Sequence, residues 1–216
     1  MTSYKIIAPQ LAEFDTMLSH ALSDIGLELT TLQCQTLLLY LDKLLLWNKA
    51  YNLTAITVPK EALIKHLFDC LAIVPYLAKG TLLDIGTGAG LPGVVVAICQ
   101  PDRQCTVLDS NQKKIRFIKQ ISSELSLDNV IPIASRIENF SGQFDVVTSR
   151  AFASLPDFVT AAAPKSHTNG VLQAMKGHVP DATELDTLVD NWNIDIQVLN
   201  VPRLDETRHL IDLRLK

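Results

Sequence analysis

Apolar residues recur at helical spacing through the first third of the chain and in short runs after it. Leu11, Phe14, Leu18, Leu22 and Ile25 step by three and four, which predicts an amphipathic helix closed by Gly26. Thr30 followed by Gln33 is a capping-box pair, and Leu37, Leu38, Leu41, Leu44 and Leu45 carry a second helix. Pro59 opens a third, with Leu63, Leu67, Leu71 and Val74 on one face. The pattern then changes. Apolar runs at 81–85, 104–109, 129–134, 144–149, 170–175, 194–201 and 208–213 predict strands. Helical patterns at 91–100, 110–127, 156–163 and 180–190 alternate with them, and 135–140 reads as a short helix or turn. Ile115, Ile118, Ser122 and Leu125 form one buried stripe. The alternation predicts an α/β fold, a doubly wound and mostly parallel seven-stranded sheet covered on both faces. The last two strands have no helix between them and can pair antiparallel. A helical extension over 1–80 precedes the sheet domain over 81–216, the two packed as one unit.

The chain has 216 residues, 48% apolar and 19% charged. This excludes disordered and low-complexity classes. Asp42 and Lys43 interrupt the most apolar stretch, so no membrane span is expected. The opening residues lack a signal-peptide pattern, and a cytoplasmic protein is expected. Cys34, Cys70, Cys99 and Cys105 have neither CxxC nor zinc spacing and read as buried thiols of a reducing compartment. A net charge of −4 excludes a strongly basic nucleic-acid binder, though not an enzyme with a local basic face.

The sharpest chemical signal lies between the first predicted strand and its helix: Asp84-Ile85-Gly86-Thr87-Gly88-Ala89-Gly90-Leu91-Pro92-Gly93. Glycines at alternate positions let a backbone turn sharply and approach a ligand closely, at the strand end where open α/β sheets bind ligands. Two readings compete. Gly88, Gly90 and Gly93 satisfy the dinucleotide fingerprint, with a pyrophosphate at the helix N-terminus. Asp84, Gly86, Gly88 and Gly90 instead resemble the first motif of S-adenosylmethionine-dependent methyltransferases. An acidic residue at Asp84 suits a cationic sulfonium ligand and disfavours a pyrophosphate. Asp109 ends the second strand, where a carboxylate can accept from ribose hydroxyls in either cofactor or cap the next helix.

Several segments together resemble one family, the bacterial RsmG methyltransferases, also called glucose-inhibited division protein B. They are 47–54 (Trp-Asn-Lys-Ala-Tyr-Asn-Leu-Thr), 66–69 (His-Leu-Phe-Asp), 84–93, 108–110 (Leu-Asp-Ser), 113–117, 149–155 (Ser-Arg-Ala-Phe-Ala-Ser-Leu), Lys176-Gly177 and 208–210 (Arg-His-Leu). The resemblance implies a Rossmann-like methyltransferase sheet, S-adenosyl-L-methionine as cofactor, and methylation of a guanine at N7 in small-subunit (16S) ribosomal RNA, free or in the particle. Carried over by position, Gly86 and Leu91 would contact the cofactor, Asp109 its ribose, and Ile137 and Glu138 its adenine. Arg150 would complete the site as the catalytic residue. Cys70 and Thr207 stand where the family commonly has Ser and Glu, away from that pocket.

The remaining candidates carry alternatives of their own. Glu138 could pair with Arg136 on the surface, and Arg150 could serve a structural ion pair rather than ligand or RNA. Lys113, Lys114, Arg116 and Lys119 gather at one helix start as an RNA face or a solvated one. Lys176 and His178 flank Gly177, where a loop could reach phosphate or base. His66 and Asp69 share a helix face and offer a substrate-side role or a structural one. Trp47, Tyr51 and Asn52 could meet RNA bases, but core packing of the helical extension fits all three better. Guanine N7 carries a lone pair and no proton, so its methylation needs no general base. Positioning and charge placement would carry catalysis, with Arg150 on a phosphate or in orientation rather than at the ring. No metal is required, and a monomer is expected. The competing classes are an NAD-binding oxidoreductase, a non-catalytic ribosome-binding module and a small-molecule methyltransferase.

Overall fold

The computed structural model describes residues 13–150, 152 and 154–216. Leu11 of the first predicted helix, and Ala151 and Ala153 of the 149–155 segment, lie outside the described residues. Helix α1 (Phe14–Ile25) ends on Gly26, whose N–H returns to the Leu22 and Ser23 carbonyls. Helix α2 (Thr31–Tyr51) starts from the expected Thr30–Gln33 capping box. The Gln33 amide also donates to the Ile98 and Cys99 carbonyls, tying α2 to the helix that follows the first strand. The third helix is not regular. It begins as α3 (Pro59–Ala62), widens into a π-helical turn (Leu63–Phe68) and ends as α4 (Asp69–Leu71). His66, Phe68, Asp69 and Cys70 are buried there together with the expected Leu63, Leu67 and Leu71. Wide turns of this kind are frequent at functional sites.

The strands are β1 (Leu82–Ile85), β2 (Cys105–Asp109), β3 (Val130–Ala134), β4 (Phe144–Ser149), β5 (Ser166–Lys176), β6 (Trp192–Leu199) and β7 (Arg208–Leu215). They form one seven-stranded sheet in the order β3-β2-β1-β4-β5-β7-β6. The first five are parallel, while β7 runs antiparallel to both β5 and β6. The expected β6–β7 pair is present, but β7, not β6, joins the parallel strands. Helices α5 (Gly93–Cys99), α6 (Gln112–Glu124) and α7 (Leu155–Ala162) make the crossovers. The helix expected over 180–190 is only α8 (Ala182–Asp186). Strand β5 runs further back than 170–175, through the polar His167, Thr168 and Asn169, with a register shift against β4.

Two apolar clusters sandwich the sheet. One joins Leu18, Leu37, Tyr40, Leu41 and Leu67 of the helical extension to Val94 of α5 and Phe117 of α6. The other packs Leu83, Val147 and Leu172 against Leu155 and Phe158 of α7. Trp47 stacks on Tyr51 at 5.1 Å and meets Phe117 at 5.6 Å, so it fastens α2 to α6. Cys70, Cys99 and Cys105 are buried, Cys34 is half-buried, and all are free thiols. No helix among the described residues is long and apolar enough to cross a membrane. The strand order reverses between β1 and β4, and the carboxyl edge of that switch point is where this architecture places a site.

Candidate active site

The turn after β1 is built from within. Asp84 is fully buried, and its Oδ2 accepts from Thr87 Oγ1 at 2.6 Å and from the Gly93 N–H at 2.8 Å. One carboxylate oxygen therefore ties the turn to the first residue of α5. Burial pushes the Asp84 carboxyl up to about 7, against the lowering effect of these two hydrogen bonds. Its second oxygen, Oδ1, is buried without a hydrogen-bond partner. From the other side, Tyr40 of α2 donates to the Ala89 carbonyl at 2.8 Å, so the helical extension braces the same turn.

Gly86 and Gly93 need glycine for different reasons. Gly86 has φ 69°, and a side chain there would project into open space. At Gly93 a Cβ would lie 2.4 Å from Val107 Cγ1 and 2.9 Å from Asp84 Oδ2, because α5 sits directly on β2. The first faces a cleft and the second closes the packing behind it.

The cleft, about 650 Å³, lies along the carboxyl ends of β1, β2 and β3 and the start of α7. Gly86, Asp109, Ile137 and Glu138 line it, as the sequence reading expects. Asp109 Oδ2 accepts from the Gly88 N–H at 2.9 Å and Oδ1 from the Asn111 N–H at 2.8 Å; Lys114 Nζ stands 3.8 Å away. The cap of α6 is Asn111, whose side chain accepts from the Lys113 N–H. Ile137 and Glu138 come from a 3₁₀ turn after β3. No ion pair joins Glu138 to Arg136 among the described residues, and both border the cleft.

Other candidates sit elsewhere. Asp84 lies behind the turn, so the acidic character of the cleft comes from Asp109, Glu138 and Asp157. Gly90 and Leu91 are buried on the packed side of the turn. Arg150 points away from the cleft. Its Nη1 lies 3.6 Å from Asp69 Oδ2, 3.2 Å from the Lys65 carbonyl and 3.4 Å from His66 Nδ1. Arg208 Nε holds the other oxygen of Asp69 at 3.1 Å. The ion-pair alternative for Arg150 is thus present, and its partner is the Asp69 that shares a face with His66.

His66 is buried, with Nε2 2.8 Å from Thr54 Oγ1. Burial, helped by the Arg150 charge, holds its imidazole down at about 4, so it is neutral at physiological pH. Lys176 donates to the Phe152 carbonyl at 3.1 Å, and burial lowers its ammonium pKa. It borders a small cavity with Asp69, Arg150, Arg208 and His209. Lys113 and Arg116 are exposed on α6, while Lys114 turns towards Asp109.

Phe152 and Asp157 also line the cleft, and neither is among the residues the sequence pattern singles out for it. A signal for Asp157 existed. Ser154 caps α7, accepting from the Asp157 N–H at 3.1 Å, and a Ser-x-x-Asp start after a strand sets that carboxylate at the carboxyl edge. The observations that test a cofactor's fit are the open space at Gly86, the strand-end carboxylate Asp109, and the apolar faces of Ile137 and Phe152. Three carboxylates against the single Arg136 give the cleft a negative balance. That balance suits a cationic adenosyl ligand and opposes a pyrophosphate.

Comparison with known proteins agrees with this geometry. The family model described as GidB, rRNA small subunit methyltransferase G, matches residues 33–211. The protein named Ribosomal RNA small subunit methyltransferase G of Psychrobacter sp. (strain PRwf-1) is 62% identical over 214 residues, 97% of this chain and 95% of its own length. Its namesake in Acinetobacter baumannii (strain ATCC 17978) is 53% identical over 195 residues, 88% of this chain and 92% of its own. Among solved structures, a SAM dependent methyltransferase from Aquifex aeolicus shares the fold, with a TM-score of 0.55 at 14% identity over 72% of this chain and 93% of that one. The chain belongs to the rRNA small subunit methyltransferase G (GidB) family.

Proposed function

We propose that the protein is an S-adenosyl-L-methionine-dependent methyltransferase that modifies guanine N7 in small-subunit (16S) ribosomal RNA, with the cofactor in the cleft beside Gly86. The negative balance of that cleft, set by Asp109, Glu138 and Asp157, is the observation that carries the reading beyond family membership. Asp109 would exchange part of its backbone hydrogen bonding for ribose hydroxyls. Ile137 and Phe152 would flank the adenine, with Glu138 at its edge. Gly88, Gly90, Leu91 and Asp84 would act from behind, by holding the turn in the shape that leaves Gly86 open.

The bound cofactor supplies an electrophilic methyl group on a sulfonium. Guanine N7 would accept that methyl with its own lone pair while the sulfur left as a neutral thioether, and N7 carries no proton to remove, so the protein needs no general base. The residues lining the cleft include no His, Cys or Lys among those described. The protein's part is to align the two reactants and to keep carboxylates, not cations, near the developing purine charge. Arg150, held by Asp69 and the Lys65 carbonyl, would orient the RNA from the opposite side of the turn. Lys176 and Arg208 border the same small cavity, and His66 would act on RNA only through Arg150. Lys113, Lys114 and Arg116 would meet phosphates along the α6 edge.

Adenosylmethionine and adenosylhomocysteine should raise the melting temperature, and NAD should not. Methyl transfer to small-subunit RNA, with the modified base mapped, tests the substrate. A melt that responds only to NAD, or a modified base other than guanine, would overturn the reading. Arg150→Ala should lower RNA affinity or turnover with cofactor affinity kept; wild-type kinetics in that variant would remove Arg150 from the site.

A further inference from the structure

A second cavity, about 730 Å³, opens between the C-terminal half of α2 and the 52–59 segment that leads into α3. It shares no lining residue with the cofactor cleft. Leu46 and Pro59 give it apolar walls, and Leu46 is 54% exposed despite its size. Between those walls stand two amides, Asn48 and Asn52, and two opposite charges, Asp42 and Lys49. Asn48 is only 7% exposed. Its Oδ1 accepts from the Thr54 N–H at 2.8 Å, which leaves its Nδ2 donor uncommitted among the described residues.

This set of groups selects a ligand class. A phosphate would meet the Asp42 carboxylate, and a purely apolar ligand would strand the Asn48 amide. A flat ring with donors and acceptors along one edge satisfies both: Asn48 and Lys49 donate, Asp42 accepts, Asn52 does either, and the apolar walls take the ring faces. The cavity is also connected to the reaction side. Asn48 holds the Thr54 backbone, Thr54 Oγ1 contacts His66 Nε2, and Arg150 Nη1 lies 3.4 Å from His66 Nδ1. From these observations we infer that the pocket between α2 and the 52–59 segment binds an unstacked nucleobase of the substrate RNA, from a nucleotide adjoining the methylated one. Splayed single-stranded bases held by side-chain hydrogen bonds are the usual means by which proteins read RNA sequence. The inference rests on the RNA methyl-transfer reading above.

Two substitutions in the full chain test it. Asn52→Gly removes an amide while keeping the left-handed backbone at φ 52°. Ala55→Phe fills the pocket from an exposed position on its wall. Each variant is compared with wild type for adenosylmethionine affinity by calorimetry, for affinity towards a small-subunit rRNA transcript by filter binding, and for methyl-transfer kinetics with varied transcript. Cofactor affinity and kcat should stay within about twofold. The RNA Kd and KM should rise roughly tenfold for Ala55→Phe and about threefold or more for Asn52→Gly. Unchanged RNA Kd and KM in both variants overturns the pocket assignment, as does an equal loss of cofactor affinity, which marks a merely structural role. A wild-type protein that binds no adenosylmethionine defeats the underlying reading instead, and the RNA Kd still reports on the pocket.

Discussion

Replacing Gly93 by Ala places one methyl group where α5 meets β2 and the Asp84 side chain. The added Cβ would stand 2.4 Å from Val107 Cγ1, 2.9 Å from Asp84 Oδ2 and 3.0 Å from Asp84 Cβ. Both neighbours are buried, Val107 in the apolar core and Asp84 with no exposed surface, so neither can swing into solvent. Overpacking of this kind costs about 1–3 kcal/mol. Any retreat of α5 also stretches the 2.8 Å bond from the Gly93 N–H to Asp84 Oδ2, worth about 1 kcal/mol with the carboxyl protonated and up to about 3 with it ionised. We expect a loss of roughly 3 kcal/mol by urea unfolding, with weaker adenosylmethionine binding because the turn is anchored through the same carboxylate. The origin of the loss is testable. Val107→Ala alone leaves a small cavity and costs about 1–2 kcal/mol. In the double variant it removes the atom that the new methyl meets first, so the paired effects should fall short of additivity by about 1 kcal/mol or more. Additivity to within about 0.5 kcal/mol would refute the packing argument and leave Gly93 with some other role.

Three further outcomes follow from the geometry. Asp109→Ala should weaken adenosylmethionine binding at least tenfold by calorimetry, since each hydrogen bond to a charged acceptor is worth about 1.5–3 kcal/mol, and unchanged affinity would remove Asp109 from the ribose site. Asp84→Asn and His66→Gln should tilt the pH profile of stability in opposite directions. Burial raises the Asp84 carboxyl from 3.8 to about 7, so between those values the folded protein holds the extra proton and this group's contribution falls as pH rises. Burial and Arg150 lower His66 from 6.5 to about 4, so there the unfolded chain holds the proton and the contribution is lost as pH falls. The window is worth about 4 to 4.5 kcal/mol for Asp84 and about 3.5 kcal/mol for His66. The urea midpoint of Asp84→Asn should therefore climb from pH 4 to 6.5 relative to wild type and that of His66→Gln should decline, and parallel profiles would contradict both assignments. Lys114→Gln should change stability by less than about 1 kcal/mol, because the pair with Asp109 is long at 3.8 Å and partly exposed; a larger change in the melt would give Lys114 a structural role.

Much of the architecture was legible because local signals agreed with the global fold. Thr30 and Gln33 announce a capping box that forms, Gly26 closes α1, and the apolar runs of β1, β2 and β4 are buried, while the edge strand β3 is buried only at Val130. The failures have physical causes. Strand β5 starts early because Ser166 already pairs with Phe144, and the polar His167 to Asn169 that follow fall in the register shift before Val171 and leave no apolar period to read. The insertion of β7 beside β5 is a matter of non-local pairing, which residue patterns do not encode. The π-turn at Leu63–Phe68 hides in an apparently regular helix because Leu63, Leu67 and Leu71 still fall on the buried side.

The carboxylates show where reading a site from sequence stops. Asp84 and Asp109 both stand at strand ends beside the glycine turn, and either could face a cationic ligand. What separates them is depth along the strands: Asp84 stands in register with Val107, two residues short of Asp109, so the two share a face of the sheet at different distances from its carboxyl edge. Asp84 turns beneath the loop, is fully buried, and accepts from Thr87 and Gly93; Asp109 borders the cleft and accepts from Gly88 and Asn111. Residues two apart along paired strands line the same face, so the residue pattern gives both carboxylates one direction, and only their distance from the turn divides the one beneath it from the one bordering the cleft. Arg150 repeats the lesson across a longer span, because its partners Lys65, His66 and Asp69 come from the helical extension, far away in sequence. That extension also braces the turn through Tyr40 and forms the pocket through Asn48. A sheet domain without it would lose the partner of Arg150 and one support of the turn, so the extension shapes the candidate site as much as the strands do.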